Sequence, residues 1–275
     1  MSNFMKIATF NIDWAKIYNS PNHFLKIEKF LNQQDFDFLI LTEALALNLK
    51  NYNFCYFSEQ IPQNVDYENL NYSQYLNGEK AFRTIIYSKF PSRKKYQVSD
   101  NKTSLALEFE TEFGDIVIYA TIIGTWFNKL PFAKKELENC VTDCENIYKT
   151  NQNLLIVGDL NTSFLENEMQ YCINKETTKT IENLIDKLSL YNTTKNLKKN
   201  IDHIIIPQNL TSKIQNLQQH SGFMKYFKNT SWLFGEKILR MFVGLFILFT
   251  TLGLYSMVMR ELINIEQISI KGENK

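Results

Sequence analysis

Four apolar runs of the chain adjoin side chains that carry oxygen. Residues 6–10 lead into Asn11-Ile12-Asp13, residues 36–41 into Thr42-Glu43, and residues 154–158 into Asp159-Leu160-Asn161, while residues 201–206 carry Asp202 and His203 at their start. Short apolar runs of this kind read as buried strands, and strand edges are where loops assemble sites. Asn, Glu and Asp are hard oxygen donors suited to Mg2+ or Mn2+, which keep several waters and take only one or two carboxylates. Asp159 and Asn161 are two positions apart, so in an extended chain both leave on one side. One can handle a nucleophilic water while the other holds a phosphate oxygen. Each motif alone is weak: a Gly-Asp-x-Asn turn is common, Glu43 after a strand reads equally as a helix cap or solvated charge, and His203 as a packed histidine. Their order and spacing together are specific.

The elements that must position these residues follow from periodicity. Phe24, Ile27, Phe30 and Leu31 are spaced by three and four, as on one helix face. Residues 83–87 predict a strand ending at Ser88-Lys89-Phe90-Pro91, where proline stops it. Residues 104–109 and 116–123 predict a hairpin turning at 112–115. Helix formers fill 132–149 and 178–188, residues 154–157 and 201–206 predict strands, and the polar stretch 58–80 predicts a long surface loop. Strands that alternate with helices but include hairpins predict a mixed α/β layer architecture.

Taken with their order, ATFNID at 8–13, LILTEA at 39–44, RTIIYSKFP at 83–91, IVGDLNT at 156–162 and NIDHIII at 200–206 resemble the endonuclease/exonuclease/phosphatase superfamily, over about residues 1–207. The resemblance implies an α/β fold, a four-layer α/β/β/α sandwich, and metal-dependent cleavage of phosphoester bonds with Mg2+ or Mn2+. It implies that Glu43 is a direct metal ligand with Asn11 beside it. It further implies that Asp159 orients or deprotonates the attacking water, that Asn161 positions the scissile phosphate, and that Asp202 is a carboxylate orienting a catalytic histidine. His203 is carried with Asp202 as a catalytic candidate, and the Arg83 guanidinium as a phosphate contact, with a surface salt bridge as its alternative. The chain departs from the family's pattern in two places. No histidine stands in residues 119–126 after the middle strand, and no Ser-Asp-His motif follows Asp202, after which only His203 and His220 remain. His220 reads as a polar loop histidine rather than a displaced substitute.

Composition bounds the rest. The 275 residues carry 30 basic and 29 acidic side chains, a net charge of +1, which excludes a strongly basic nucleic-acid-coating protein. With 44% hydrophobic residues, nine Gly and five Pro, the chain is neither largely disordered nor collagen-like. Arg93-Lys94-Lys95 and Lys195, Lys198 and Lys199 read as solvated faces. The cysteines Cys55, Cys140, Cys144 and Cys172 form no C-x-x-C pair and fit a reducing compartment. The N-terminus shows no export signal.

One block stands apart. Residues 241–259, MFVGLFILFTTLGLYSMVM, carry no charge, and at about 1.5 Å per residue would span roughly 28 Å, near the hydrocarbon thickness of a bilayer. Trp232 and Phe234 precede it as interfacial aromatics do. The expected organisation is therefore a phosphoesterase-like domain at 1–207, a divergent connector at 208–236, a C-terminal transmembrane helix at 237–262 and a short polar tail at 263–275. Lys225, Lys228, Lys237 and Arg240 before the block outnumber Arg260, Lys271 and Lys275 after it by one. With the absent export signal, this predicts membrane localisation by a single-pass C-terminal anchor with the large domain cytoplasmic. Two functional readings follow. One is a membrane-tethered phosphodiesterase, a nuclease acting on nucleic acid or else a lipid or inositol phosphodiesterase. The other is a catalytically impaired, membrane-anchored binding protein on the same fold.

Overall fold

The apolar runs form strands because most of them are buried on both faces, which is why they lack alternation. The computed structural model describes residues 4–13, 21–60, 66–67, 70–71, 81–124, 132–168, 175–220 and 265–271. Along the chain these contain β1 (Phe4–Asn11), α1 (Pro21–Leu31), β2 (Phe38–Leu45), β3 (Phe54–Phe57), β4 (Asp66–Tyr67), β5 (Leu70–Asn71) and β6 (Ala81–Ser88). There follow β7 (Ser92–Tyr96), β8 (Ser104–Thr111), β9 (Gly114–Ile122), α2 (Phe132–Tyr148), β10 (Leu154–Asp159) and α3 (Lys175–Lys187). The last are β11 (Leu190–Asn192), β12 (Asp202–Pro207), a 3-10 turn (Gln208–Lys213), β13 (Ile214–His220) and β14 (Ile265–Lys271).

Two six-stranded mixed sheets result, in the orders β13-β14-β1-β2-β6-β3 and β11-β12-β10-β9-β8-β7. Their facing sides share one core, in which Ile7, Phe38, Ile40 and Ile86 of the first sheet meet Phe109, Ile118, Leu155, Val157, Ile204 and Ile206 of the second. Each such side chain stabilises the fold by about 1.5–3 kcal/mol through removal from water. The outer face of the second sheet packs on α2 and α3, where Tyr119, Ile156 and Ile205 meet Leu137, Cys140, Cys144, Ile181 and Leu184. Helix α1 buries Ile27 and Leu31 and is tied to the segment after β2, whose Asn48 N–H donates to Glu28 Oε2 at 2.8 Å. The arrangement is an α/β fold with two facing sheets, consistent with the expected sandwich.

Strand directions bring the oxygen-bearing residues to one rim. β1 and β2 run parallel with Asn11 beside Thr42. β9 and β10 run parallel with Ile122 beside Asp159, and β12 runs antiparallel to β10 with Asp202 opposite Asp159.

The C-terminal quarter differs from expectation where it is described. Residues 208–220, expected to be a connector, form the 3-10 turn and β13. Residues 265–271, expected to lie in a polar tail, form β14, which pairs antiparallel with β1 from Phe4↔Lys271 to Thr9↔Glu266. Among the described residues no helix is long and apolar enough to cross a membrane. The expected transmembrane helix at 237–262 lies outside the described residues.

Candidate active site

Asn11 ends β1, and its amide Nδ2 donates to Asp159 Oδ2 at 2.7 Å, a hydrogen bond that joins the rims of the two sheets. Asn11 Oδ1 in turn accepts the Asp13 N–H at 2.9 Å. Asp159 is 1% exposed, and its Oδ1 accepts the Asn161 N–H at 2.9 Å. Burial pushes the Asp159 carboxyl up to about 7. The bonds from Asn11 and the Asn161 N–H pull it down, and the charge of Glu43 adds to the rise. A carboxyl that exchanges its proton near neutrality suits a general base.

The backbone is bent to make this arrangement. Asp13, Glu43 and Asn161 hold φ of 47°, 45° and 47°, a left-handed conformation that costs L-residues about 1–3 kcal/mol and clusters at functional sites. Gly158 sits at φ +138° where β10 approaches β9, and a Cβ there would lie 2.0 Å from the Thr121 carbonyl oxygen. Only glycine admits that approach. Asn161 Nδ2 donates to the Ile123 carbonyl at 2.8 Å, which fixes its amide at the rim. Beside it the Gly124 N–H donates to Glu136 Oε2 at 2.8 Å, so a buried carboxylate of α2 secures the chain just past β9.

Glu43 and Arg83 stand opposite each other across the β2–β6 ladder, between the pairs Thr42↔Thr84 and Ala44↔Phe82. Arg83 Nη1 lies 3.3 Å from Glu43 Oε1, and the Arg83 side chain is 8% exposed against 27% for Glu43. The surface salt bridge weighed from sequence is thus a partly buried one, with Arg83 the buried member. Asp202 is buried across the strand pair from Asp159, on the same inward side as Ile204 and Ile206. The structure therefore brings together Asn11, Asp159 and Asn161, with Asp202 across from Asp159, and links Glu43 to Arg83.

His203 does not join them, and the catalytic role expected of it is corrected. Adjacent strand residues face opposite ways, and His203 follows Asp202, so its ring lies on the outer face, edge-on to Phe164. Its Nε2 lies 2.8 Å from the Thr162 carbonyl, which can only accept, so Nε2 carries the proton. Nδ1 then accepts, with Asn192 Nδ2 at 3.2 Å and the Thr194 hydroxyl at 2.9 Å. Burial holds the ring down at about 4. It is a neutral core histidine. The side chain of His220 lies outside the described ones. Gly158 and Glu136 were not singled out from sequence. Gly158 is signalled only by its place before Asp159, and Glu136 by nothing, since a lone Glu on a helix is ordinarily solvated.

Among the described residues no three His, Cys, Asp or Glu side chains cluster as a metal cage. The donor set at the rim, one partly exposed carboxylate with a neighbouring amide oxygen, fits an ion that keeps most of its waters, as Mg2+ does.

The sequence profile of the Endonuclease/Exonuclease/phosphatase family matches residues 8–214. The chain belongs to this family. No curated protein matches it. Among solved structures, the 3′ phosphatase NExo from Neisseria, bound to a product DNA hairpin, shares 11% identity at a TM-score of 0.58, covering 98% of this chain and 100% of that one. The endonuclease domain of TRAS1, a telomere-specific non-LTR retrotransposon, shares 9% at 0.56 over 98% and 100%. Truncated Caenorhabditis elegans TDP2 shares 12% at 0.55 over 98% and 97%. At these identities the likeness is one of fold. Family membership supports a phosphoester hydrolase.

Proposed function

We propose that the chain is a divalent-metal-dependent phosphodiesterase that cleaves nucleic acid. The observation that carries this is the Asn11–Asp159 bond at 2.7 Å, which locks two sheets into one rim lined by Asn161 and Asp202, on a chain of this family. That fold neighbours include a DNA-bound phosphatase and an endonuclease domain favours a polynucleotide over a lipid or inositol phosphate. Asp159 takes the proton of the attacking water, held in line by the Asn11 amide. The Asn161 amide, pinned at Ile123, positions the phosphate. Glu43, with Asn11 beside it, would hold Mg2+ or Mn2+, which supplies Lewis-acid stabilisation of charge growing on the phosphate oxygens. Incubation of full-length protein with Mg2+ and single-stranded, nicked or duplex DNA tests the reading. Cleavage products are expected, and turnover of lipid or inositol phosphodiesters with all DNA untouched would replace the substrate.

The missing family histidines favour a second reading, a protein that binds the same substrate without turning it over. It predicts DNA binding with no cleavage under any divalent cation.

Membrane association through residues 241–259 is also proposed, on the uncharged apolar sequence of that block. Co-flotation of the protein with liposomes is the expected result, and protein left entirely in the bottom fraction would remove this part of the reading.

A further inference from the structure

Arg83 poses a problem for the metal reading that its phosphate role does not answer. It is buried, it lies on β6 directly across from Glu43, and its Nη1 is 3.3 Å from the carboxylate oxygen that the proposed function assigns to the cation. A guanidinium and a divalent ion that share one carboxylate compete for its lone pairs and repel each other.

We propose that Arg83 is the resident counter-charge of this site. It holds Glu43 by an ion pair in the metal-free protein, yields that carboxylate when a divalent cation arrives, and thereby sets the affinity for the cation. Three features support this. Glu43 is the more exposed partner, 27% against 8%, so an ion from solvent reaches the carboxylate without first removing the arginine from its setting. Glu43 sits at φ 45°, a strained backbone position inside β2 between the pairs Thr42↔Thr84 and Ala44↔Phe82, and such strain clusters where a side chain has a task. Arg83 is the more deeply buried partner, so the more adjustable element of the pair is where the Glu43 carboxylate points. The inference rests on the metal-dependent reading of the rim and adds to it that this chain holds its metal weakly by construction. Binding of the ion also releases guanidinium N–H groups toward an incoming phosphate, which makes metal and substrate mutually reinforcing.

The test is Mn2+ binding to the full chain in mild detergent, followed by electron paramagnetic resonance of the free ion, for wild type, Arg83→Met and Arg83→Lys. Methionine keeps the length of the side chain and removes its charge; lysine keeps the charge. Removing a unit charge a few ångströms from the ion should tighten binding by roughly tenfold, and Arg83→Lys should stay within about threefold of wild type. Circular dichroism of each variant reports folding independently, and should Arg83→Met not fold, Arg83→Gln takes its place. Equal or weaker binding by the uncharged variant than by wild type overturns the inference while leaving the metal reading intact. Absence of binding by every form overturns both. Binding by the uncharged variant alone supports the role of Arg83 in its strongest form.

Discussion

On the inner face of the β10–β12 pair Asp159 stands across from Asp202, and one step along, on the outer face, His203 stands across from Gly158. Asp159 and His203 are each 1% exposed, and both have displaced proton affinities, yet only one stands at the rim where the two sheets are joined. The difference lies in what meets them. The ring nitrogens of His203 are matched by neutral partners, Thr162 on one side and Asn192 and Thr194 on the other, so burial makes it a fixed, neutral part of the core. Asp159 receives two donors but also faces the charge of Glu43, so its protonation stays negotiable near neutrality. Convergence of charge at a rim, rather than burial, separates a reactive group from a structural one.

The largest expected effect tests what holds the inner face in place. Gly158→Ala would drive a Cβ to 2.0 Å from the Thr121 carbonyl, and should cost more than about 3 kcal/mol of stability, read as a drop in urea midpoint. An unchanged midpoint would mean that β9 and β10 are not so closely apposed. Next, Asp202→Asn and His203→Gln compare the two faces directly. The first should lower turnover about 100-fold with stability nearly kept. The second should leave turnover within about threefold and cost roughly 2 kcal/mol through its buried hydrogen bonds. Reversed outcomes would place the histidine at the chemistry.

A third prediction uses pH. His203 in the folded protein is held at about 4 against an ordinary 6.5, so above 6.5 it is neutral in both states and costs nothing. As pH falls from 6.5 toward 4 the unfolded chain binds the proton and the folded one does not, and stability should fall by about 3 kcal/mol. Asp159, raised from 3.8 to about 7, acts in the opposite sense. Its ionisation penalises the fold above 7, and that penalty is relieved as pH falls toward 4. In metal-free wild type the two slopes therefore oppose each other. Asp159→Asn should unmask the loss due to His203, visible as a steeper decline in urea midpoint between pH 6.5 and 4 than in wild type; parallel curves would refute the opposition. The smallest effect is Glu136→Ala, which strips the Gly124 N–H of its acceptor and should cost about 1–2 kcal/mol by thermal melt. No change would remove Glu136 from the support of the rim.

Much of this was legible in the sequence. The runs that became β1, β2, β9, β10 and β12 are mostly apolar, as strands buried on two faces are, and those of β1, β2, β10 and β12 lead into or out of a candidate site residue. The position of His203 was legible too, since one step along a strand reverses the side chain and Asp202 shares its face with Ile204 and Ile206. What masked it was the expectation of a histidine beside that aspartate. Apart from β3, FCYF at 54–57, the longer strands that escaped notice lack a continuous apolar signal. β7 reads SRKKY, β13 carries only Ile214 and Leu217 among polar residues, and β14 follows an apolar block that drew the residues after it into a tail. The partners of Arg83 and Gly124 are set by contacts between distant strands and helices, which no local spacing records.

The central claim is that the rim performs metal-assisted hydrolysis with Asp159 at the attacking water. Hydrolysis of bis(p-nitrophenyl) phosphate by the full chain, titrated with Mg2+ and repeated with Asp159→Ala, tests it most directly. Turnover that rises with Mg2+ in wild type and falls at least about 1,000-fold in the variant is predicted; no turnover in wild type, or equal turnover in both, would contradict it.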